Sequence, residues 1–314
     1  MKYDDRMALA HLVMVFVGSY IPSILLFLNT LCAVRSSKDP ARTAFTYFKF
    51  ALLVFSAHAL FDTATYGFFL FGSLKFSDNY YEPDFDWARY ATLIKALGIF
   101  VRAFQAISKL SDVVADILIT IILLRLSTAT LTIFSGNATG KKLRLVSYGA
   151  AFVLSALAFI VFGLQIRYIY EISENDVEIG LDCYLKSVQI EFAVRVLLFV
   201  ICLGVLVRAV MVKKQVKADK NLTWASAMLL AASVVWLLHT SFAMASLAAW
   251  ENLSNAWNMA PVDYEFYFYI FEVIFGIWPQ FAVLVLVYFI GLAKANGIWS
   301  RDQESLTHVE EAHI

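Results

Sequence analysis

Carboxylates, imidazoles and one guanidinium recur at helical spacing inside stretches that are otherwise apolar. Between Arg102 and Thr120, the residues Arg102, Gln105, Lys109, Asp112, Asp116 and Thr120 follow one another at steps of three or four. Everything between them is apolar or small, so on a helix they form one polar stripe. Other stripes of this kind are His58, Asp62, Thr65 and Tyr66; Glu191 and Arg195; and Glu265, Tyr269, Glu272, Gly276 and Gln280, with His239 on a further apolar stretch. Ionisable groups in hydrocarbon are costly and survive where they face a protein interior or a wet cavity. A buried carboxyl without a cation beside it keeps its proton at neutral pH and can serve as a general acid. Asp116, Asp62 and Glu272 are the candidates for that role. Glu191 suits it less, because Arg195 one turn away would hold it ionised. Lys109 is expected to neutralise Asp112, leaving Asp116 without a partner. Asp112, Glu191, Arg195, His239, Tyr66, Tyr269 and Trp236 are the candidate contacts for a bound molecule, with Trp278 as a further aromatic wall.

The elements that must position these residues are membrane spans. The chain has 314 residues, 61% of them hydrophobic and 16% charged, with a mean hydropathy of +0.70. A soluble domain is closer to a quarter charged, and here the apolar residues come in blocks long enough to cross a ~30 Å hydrocarbon layer as helices. The expected fold is an all-α membrane protein with seven transmembrane helices, at residues 9–34, 43–72, 105–125, 145–170, 187–212, 223–250 and 265–292. Residues 1–292 read as one transmembrane domain and 293–314 as a short polar cytoplasmic tail. Residues 87–134 contain no proline and only Gly98, and at 1.5 Å per residue such a helix is about 72 Å long, too long for one crossing. Residues 87–101 are therefore expected as an outer amphipathic helix or an extension of span three. Residues 171–184 read as an acidic loop containing Cys183, and His11 as a headgroup-layer residue. No internal repeat and no cleavable signal peptide are expected.

Connections after spans one, three and five are basic (Arg35, Lys38, Arg42; Lys141, Lys142, Arg144; Arg208, Lys213, Lys214, Lys217, Lys220), whereas the others carry mainly Lys75, Arg89, Arg167 and Lys186. The Lys and Arg excess marks the cytoplasmic side. The N-terminus is thus expected outside or lumenal and the C-terminus in the cytoplasm. With that orientation, ionisable residues from five spans fall in the outer half of the membrane, which implies a polar cavity there. The sequon Asn252-Leu253-Ser254 lies in an outer loop, while those at Asn137 and Asn221 face the cytoplasm. Each pair also has a bland reading, as an intramembrane salt bridge or a hydrogen-bonded tether between helices. Only the set as a whole points to a site.

Several functions are excluded by what is missing. Zero net charge gives no electrostatic case for nucleic acid. The spread of five histidines suggests no metal-ligand cluster, and no metal or other cofactor is expected. Asp112 and Asp116 have the spacing of half a magnesium-diphosphate site, but no second acidic motif accompanies them. His58 and Asp62 lack the late histidine pair of seven-span zinc hydrolases. Span seven lacks the lysine of retinal proteins, and Leu124-Arg125-Leu126 and Trp278-Pro279-Gln280-Phe281 stand where class A receptors carry their signature motifs.

The closing span, Phe268 to Phe281 and on to Leu292, resembles the last helix of small seven-span integral membrane proteins of filamentous fungi. The layout over residues 9–292 is similar as well. Such proteins include receptor-like proteins and membrane-bound terpene cyclases of the ascofuranone type. The resemblance implies an isomerase of secondary metabolite biosynthesis, cyclising an epoxidised prenyl chain in an endoplasmic-reticulum or other secretory-pathway membrane. Asp116, Asp62 or Glu272 would protonate the epoxide, and aromatic faces would stabilise the carbocation. The alternatives are a seven-span receptor binding a small ligand, placed in the plasma membrane, or a proton-coupled carrier. In each case the partners are the lipid bilayer and an apolar small molecule.

Overall fold

Inside a bilayer every backbone N–H and C=O must find its partner within the protein, and for long apolar stretches helix is the solution. In the computed structural model the described residues are 3–33, 42–79, 87–135, 141–174, 176–217, 219–250, 253 and 265–292, and they are helical almost throughout, with no strand among them. The elements are α1 (Tyr3–Val15), α2 (Ile21–Ala33), α3 (Arg42–Asn79), α4 (Trp87–Ser135), α5 (Lys141–Ser173), α6 (Val177–Val216), α7 (Lys220–Trp250), α8 (Glu265–Phe271) and α9 (Trp278–Leu292). Wider π turns at Phe16–Tyr20 and Glu272–Ile277 join α1 to α2 and α8 to α9. Seven helical stretches, from Asp5–Cys32 to Phe268–Leu292, are long and apolar enough to cross a membrane. This is a multi-pass, all-α membrane protein.

Both π turns sit immediately before a proline near the start of the next helix, Pro22 in α2 and Pro279 in α9. Proline has no N–H to give and its ring crowds the preceding turn, so the helix must widen or bend there. The two distortions meet: an added Cβ on Gly18 would lie 3.1 Å from Nε1 of Trp278. A larger residue at 18 would push the first and last spans apart.

One open alternative about element boundaries is decided and one expectation changes. Residues 87–135 form one unbroken helix of 49 residues, so 87–101 is the extension rather than a separate interfacial helix. Phe100 and Phe104 on this extension stack with Phe68 of α3, at 6.2 and 5.5 Å, and Phe61 stacks on Phe104 at 5.7 Å. Gly98 lies inside this helix without breaking it, and nothing lies within 4 Å of a Cβ placed there. The acidic loop expected at 171–184 closes to the short link between Ser173 and Val177. Asp176 caps α6 by accepting from the backbone N–H of Ile179 at 3.3 Å, and Glu178 in the first turn complements the helix dipole. Cys183 therefore lies buried within α6. The C-terminal tail and the Asn252 and Asn137 sequons fall outside the described residues.

The core lies on the side of Asp116 toward the C-terminal end of α4. Phe48, Leu52 and Phe55 of α3, Ile122, Leu123 and Leu126 of α4, Leu229 and Trp236 of α7, and Leu284 and Val287 of α9 are all fully buried there. Phe55 stacks on Phe281 at 5.7 Å. This apolar layer floors the polar half of the bundle. At its far end an added Cβ on Gly291 would sit 2.7 Å from the ring of buried Phe45. Gly291→Ala is expected to destabilise the protein by roughly 1–3 kcal/mol through overpacking. Adding Phe45→Leu should recover most of the loss, measured as the midpoint of thermal unfolding in detergent.

Candidate functional site

The polar stripe of α4 meets α6, α7 and α9 at Asp116. Asp112 and Asp116 are one turn apart, so both carboxylates face the same neighbours. The Arg195 guanidinium of α6 spans them, donating from Nη2 to Asp112 Oδ2 at 2.5 Å and from Nη1 to Asp116 Oδ2 at 2.6 Å. The two Oδ1 atoms face the other way. There Gln280 donates from Nε2 to Asp116 Oδ1 at 2.7 Å and to Asp112 Oδ1 at 3.2 Å. His239 Nε2 also reaches Asp116 Oδ1, at 3.0 Å. Farther out, Lys109 lies 3.4 Å from Glu191, whose other oxygen is 4.0 Å from Arg195. Charge-assisted, two-pronged contacts of this kind are what makes burying a guanidinium tolerable.

A second cluster joins α1, α3 and α8. His11 Nε2 is 2.7 Å from Asp62 Oδ2, and His11 Nδ1 is 2.8 Å from the backbone carbonyl of Tyr269 on the last span. Its ring lies 3.9 Å from that of Tyr66, centroid to centroid. The Tyr66 hydroxyl donates to Glu272 Oε2 at 3.3 Å, and that oxygen is 4.0 Å from His11 Nδ1.

Three histidines share one arrangement. In each, Nδ1 points at a backbone carbonyl of a neighbouring helix: His11 at Tyr269, His239 at Gly276 (2.8 Å), and His58 at Ser108 (3.1 Å). A carbonyl only accepts, so Nδ1 of His11 and of His239 carries a proton and Nε2 is left to face an aspartate, whereas Nδ1 of His58 also meets the Ser108 hydroxyl, at 3.0 Å. His239 Nε2 faces Asp116, which already accepts from Arg195 and Gln280, so the imidazole must donate and is the imidazolium. For His11 and Asp62, 2.7 Å apart, one further proton is shared by the pair. His58 Nε2 stands 4.0 Å from Asp112 Oδ1. Gly276 and Tyr269 bracket the π turn at Glu272–Ile277, so the distorted stretch of the last span is pinned at both ends by imidazoles.

Between the two clusters lies a cavity of about 240 Å³. Asp62, Tyr66, Asp112, Glu191, Arg195, His239 and Glu272 line it, as the sequence spacing implies, together with His58, Lys109 and Gln105. Side-chain exposure rises from 1% at Asp116 and 8% at Arg195 to 27% at Lys109 and 35% at Glu272. The cavity therefore opens toward the end of the bundle that holds the N-terminus of α1. The charges nearly balance. Asp62, Asp112, Asp116, Glu191 and Glu272 are offset by Lys109, Arg195, the His239 imidazolium and the proton between His11 and Asp62. Of these carboxylates Glu272, at the mouth, is the most exposed.

Several expectations change here. Asp116 is not without a partner: Arg195, Gln280 and His239 all bond to it, so it is not the uncompensated acid expected. Arg195, rather than Lys109, neutralises Asp112. His11 is fully buried, with a specific partner, instead of lying in the headgroup layer. His58 and Asp62 do not pair within α3, because they tether it to α4 and α1 respectively. Trp236 is fully buried beneath His239, their rings 4.8 Å apart, and is not among the cavity's lining residues. Tyr269 contributes its carbonyl, its ring standing edge-on to Tyr66, and Trp278 packs on Gly18. Ser108, Phe242 and Phe268 also line the cavity. Nothing in their spacing marks them out, since single hydroxyls and rings in apolar helices are common.

No protein-family model matches the chain, and no curated protein or solved structure matches it. The likeness of the closing span to fungal membrane proteins has no support from these comparisons.

Removing Arg195 would strand the buried carboxylate of Asp116 and the half-buried one of Asp112. Arg195→Ala is expected to cost roughly 3–5 kcal/mol. Arg195→Lys keeps the charge but cannot reach both oxygens at once, so it should fall between wild type and alanine. Thermal unfolding of the three proteins in one detergent checks this order, and equal midpoints would refute the bridging role.

Proposed function

We propose that the protein is a receptor-like, seven-span binder of a small molecule carrying one positive charge. The observation that carries this reading is the position of Glu272, the most exposed carboxylate of the cavity, set in its mouth beside Tyr66, Phe242 and Phe268. A carboxylate flanked by aromatic faces favours an amine over a neutral molecule. A volume of about 240 Å³ is below the ~300–1,000 Å³ of drug-sized ligand sites, which favours a small ligand. The apolar floor of Phe55, Ile122, Leu123 and Leu284 interrupts any polar route across the bundle, which favours a binder over a carrier.

Acid-initiated cyclisation of a prenylated epoxide is the second reading. Its support is narrower: Glu272 and Asp62 are the carboxyl groups of the cavity held by the Tyr66 hydroxyl and the His11 imidazole rather than by Arg195 or Lys109. They are the candidate acids that stand apart from the guanidinium.

Phenethylamine and 2-phenylethanol, alike in shape but not in charge, separate the readings. In thermal shift measurements on the purified protein the amine should stabilise wild type and the alcohol should not. The shift should be lost in Glu272→Gln, and apparent affinity should fall roughly tenfold in Asp62→Asn, the equivalent of about 1.4 kcal/mol. Equal response to both compounds would refute a charge-selective site. Microsomes that convert a prenylated epoxide in wild type but not in Glu272→Gln would favour the cyclase.

The distribution of Lys and Arg supports a lumenal or extracellular mouth, in a secretory-pathway or plasma membrane. Expressed in a glycosylating cell, the protein should shift on deglycosylation, and Asn252→Gln should abolish the shift. Loss with Asn137→Gln instead would mean the opposite orientation.

A further inference from the structure

The floor of the cavity has a second property, independent of what binds at its mouth. Arg195 takes Oδ2 of both Asp112 and Asp116, so both Oδ1 atoms are left converging on one point from a single helix face. His239 Nε2 joins them, and the three donor atoms lie within 4.8 Å of one another. His58 Nε2 stands 4.0 Å from Asp112 Oδ1 on the cavity side.

We propose that Asp112 Oδ1, Asp116 Oδ1 and His239 Nε2, with the Gln280 side-chain amide and His58 Nε2 completing the set, form a binding site for a first-row divalent cation. Gln280 supplies the observation that goes beyond the acidic pair. Its side chain is fully buried, its Nε2 occupies the point between the two Oδ1 atoms, and its Oε1 has no hydrogen-bond partner. An orphaned buried carbonyl oxygen is costly. Turning the amide half a revolution would bring Oε1 onto the carboxylates, which is repulsive unless a cation lies between them. With a cation there, the orphaned oxygen becomes a ligand and Nε2 leaves the site.

The surroundings are those of a metal site. His239 donates Nδ1–H to the Gly276 carbonyl, and His58 Nδ1 is held by the carbonyl and hydroxyl of Ser108, which orients both rings with Nε2 inward, as partners behind metal-bound histidines do. Bonds near 2.0–2.2 Å place neighbouring donors roughly 3.3 Å apart. The 3.0 Å between His239 Nε2 and Asp116 Oδ1 already meets that, and the 4.0 Å at His58 needs a small inward movement. Imidazole nitrogens with carboxylate and amide oxygens suit Zn²⁺ or Mn²⁺ rather than Ca²⁺ or Cu⁺. The proton on His239 Nε2 passes to water as the cation enters. Arg195 stays on the Oδ2 side, where Glu191 at 4.0 Å shares its charge.

The test is equilibrium dialysis of the purified full chain against Zn²⁺, with size-exclusion behaviour as the check on folding. One Zn²⁺ per chain is expected in wild type and in Glu272→Gln. His239→Ala should weaken binding about 10–100-fold, as loss of a ligand or its support does. Gln280→Glu keeps the shape and offers a third carboxylate, so it should bind Zn²⁺ more tightly than wild type, and Zn²⁺ should raise its unfolding temperature. In a purely structural network the same change adds repulsion that no metal relieves. Absence of stoichiometric binding in wild type would overturn the proposal. So would Zn²⁺ retained unchanged by His239→Ala, which would mark an adventitious ion. If His239→Ala does not fold, Gln280→Glu decides alone: no gain in affinity or stability with Zn²⁺ counts against the site.

Discussion

A guanidinium held between two carboxylates one helical turn apart, at a depth shielded from water, constrains every other charge in this bundle. Arg195 reaches Asp112 and Asp116 at 2.5 and 2.6 Å. Because all three side chains are shielded, none can drift to solvent, and α4 and α6 are locked in register. The remaining donors are then dictated by the acceptors that Arg195 leaves. Gln280 and His239 bring α9 and α7 to the two Oδ1 atoms, so four helices meet at a pair of residues on one of them. Breaking such a network costs far more than forming it yields, because the partners cannot find water.

The last span is the element this network acts on. Pro279 removes a helical donor, the π turn at Glu272–Ile277 absorbs the distortion, and the carbonyls of Tyr269 and Gly276 near its two ends accept from His11 and His239. Glu272 lies at the start of that turn, so the most exposed carboxylate of the cavity sits on a part of its wall whose helical hydrogen bonding is irregular. π turns occur frequently at functional sites. Here the turn has a positional role: it presents Glu272 and Gly276 on the same cavity while α9 continues beyond it as a buried, regular helix.

The polar half and the apolar half of the bundle depend on each other. The layer of Phe55, Ile122, Leu123 and Leu284 is dry and closely packed, which raises the strength of every charge interaction just above it. The polar network in turn keeps the cavity from collapsing, since its side chains are tied to one another. Opposite faces of the outer helices, such as Leu145 and Phe152 of α5, are exposed apolar surface for lipid.

The seven spans were legible in the sequence, because the cost of an unsatisfied backbone in lipid forces long apolar blocks into helix and leaves few alternatives. So was the membership of the site: Asp62, Tyr66, Asp112, Glu191, Arg195, His239 and Glu272 share a cavity because charged groups in apolar helices must face inward. The continuity of the 49-residue α4 was harder to read, since what carries it past a bilayer's thickness is stacking against Phe61 and Phe68 of another helix. The pairing was legible only for Glu191 and Arg195, which stand 4.0 Å apart within α6. Spacing places Lys109 and Asp112, Glu191 and Arg195, or His58 and Asp62 within reach along one helix, but partners across helices are equally near and better aimed. Tertiary packing joined Arg195 to Asp112 and Asp116, gave buried His11 to Asp62, and surrounded Asp116, the candidate acid, with three partners. A sequence states which charges must be buried; only the helix contacts decide which of them meet.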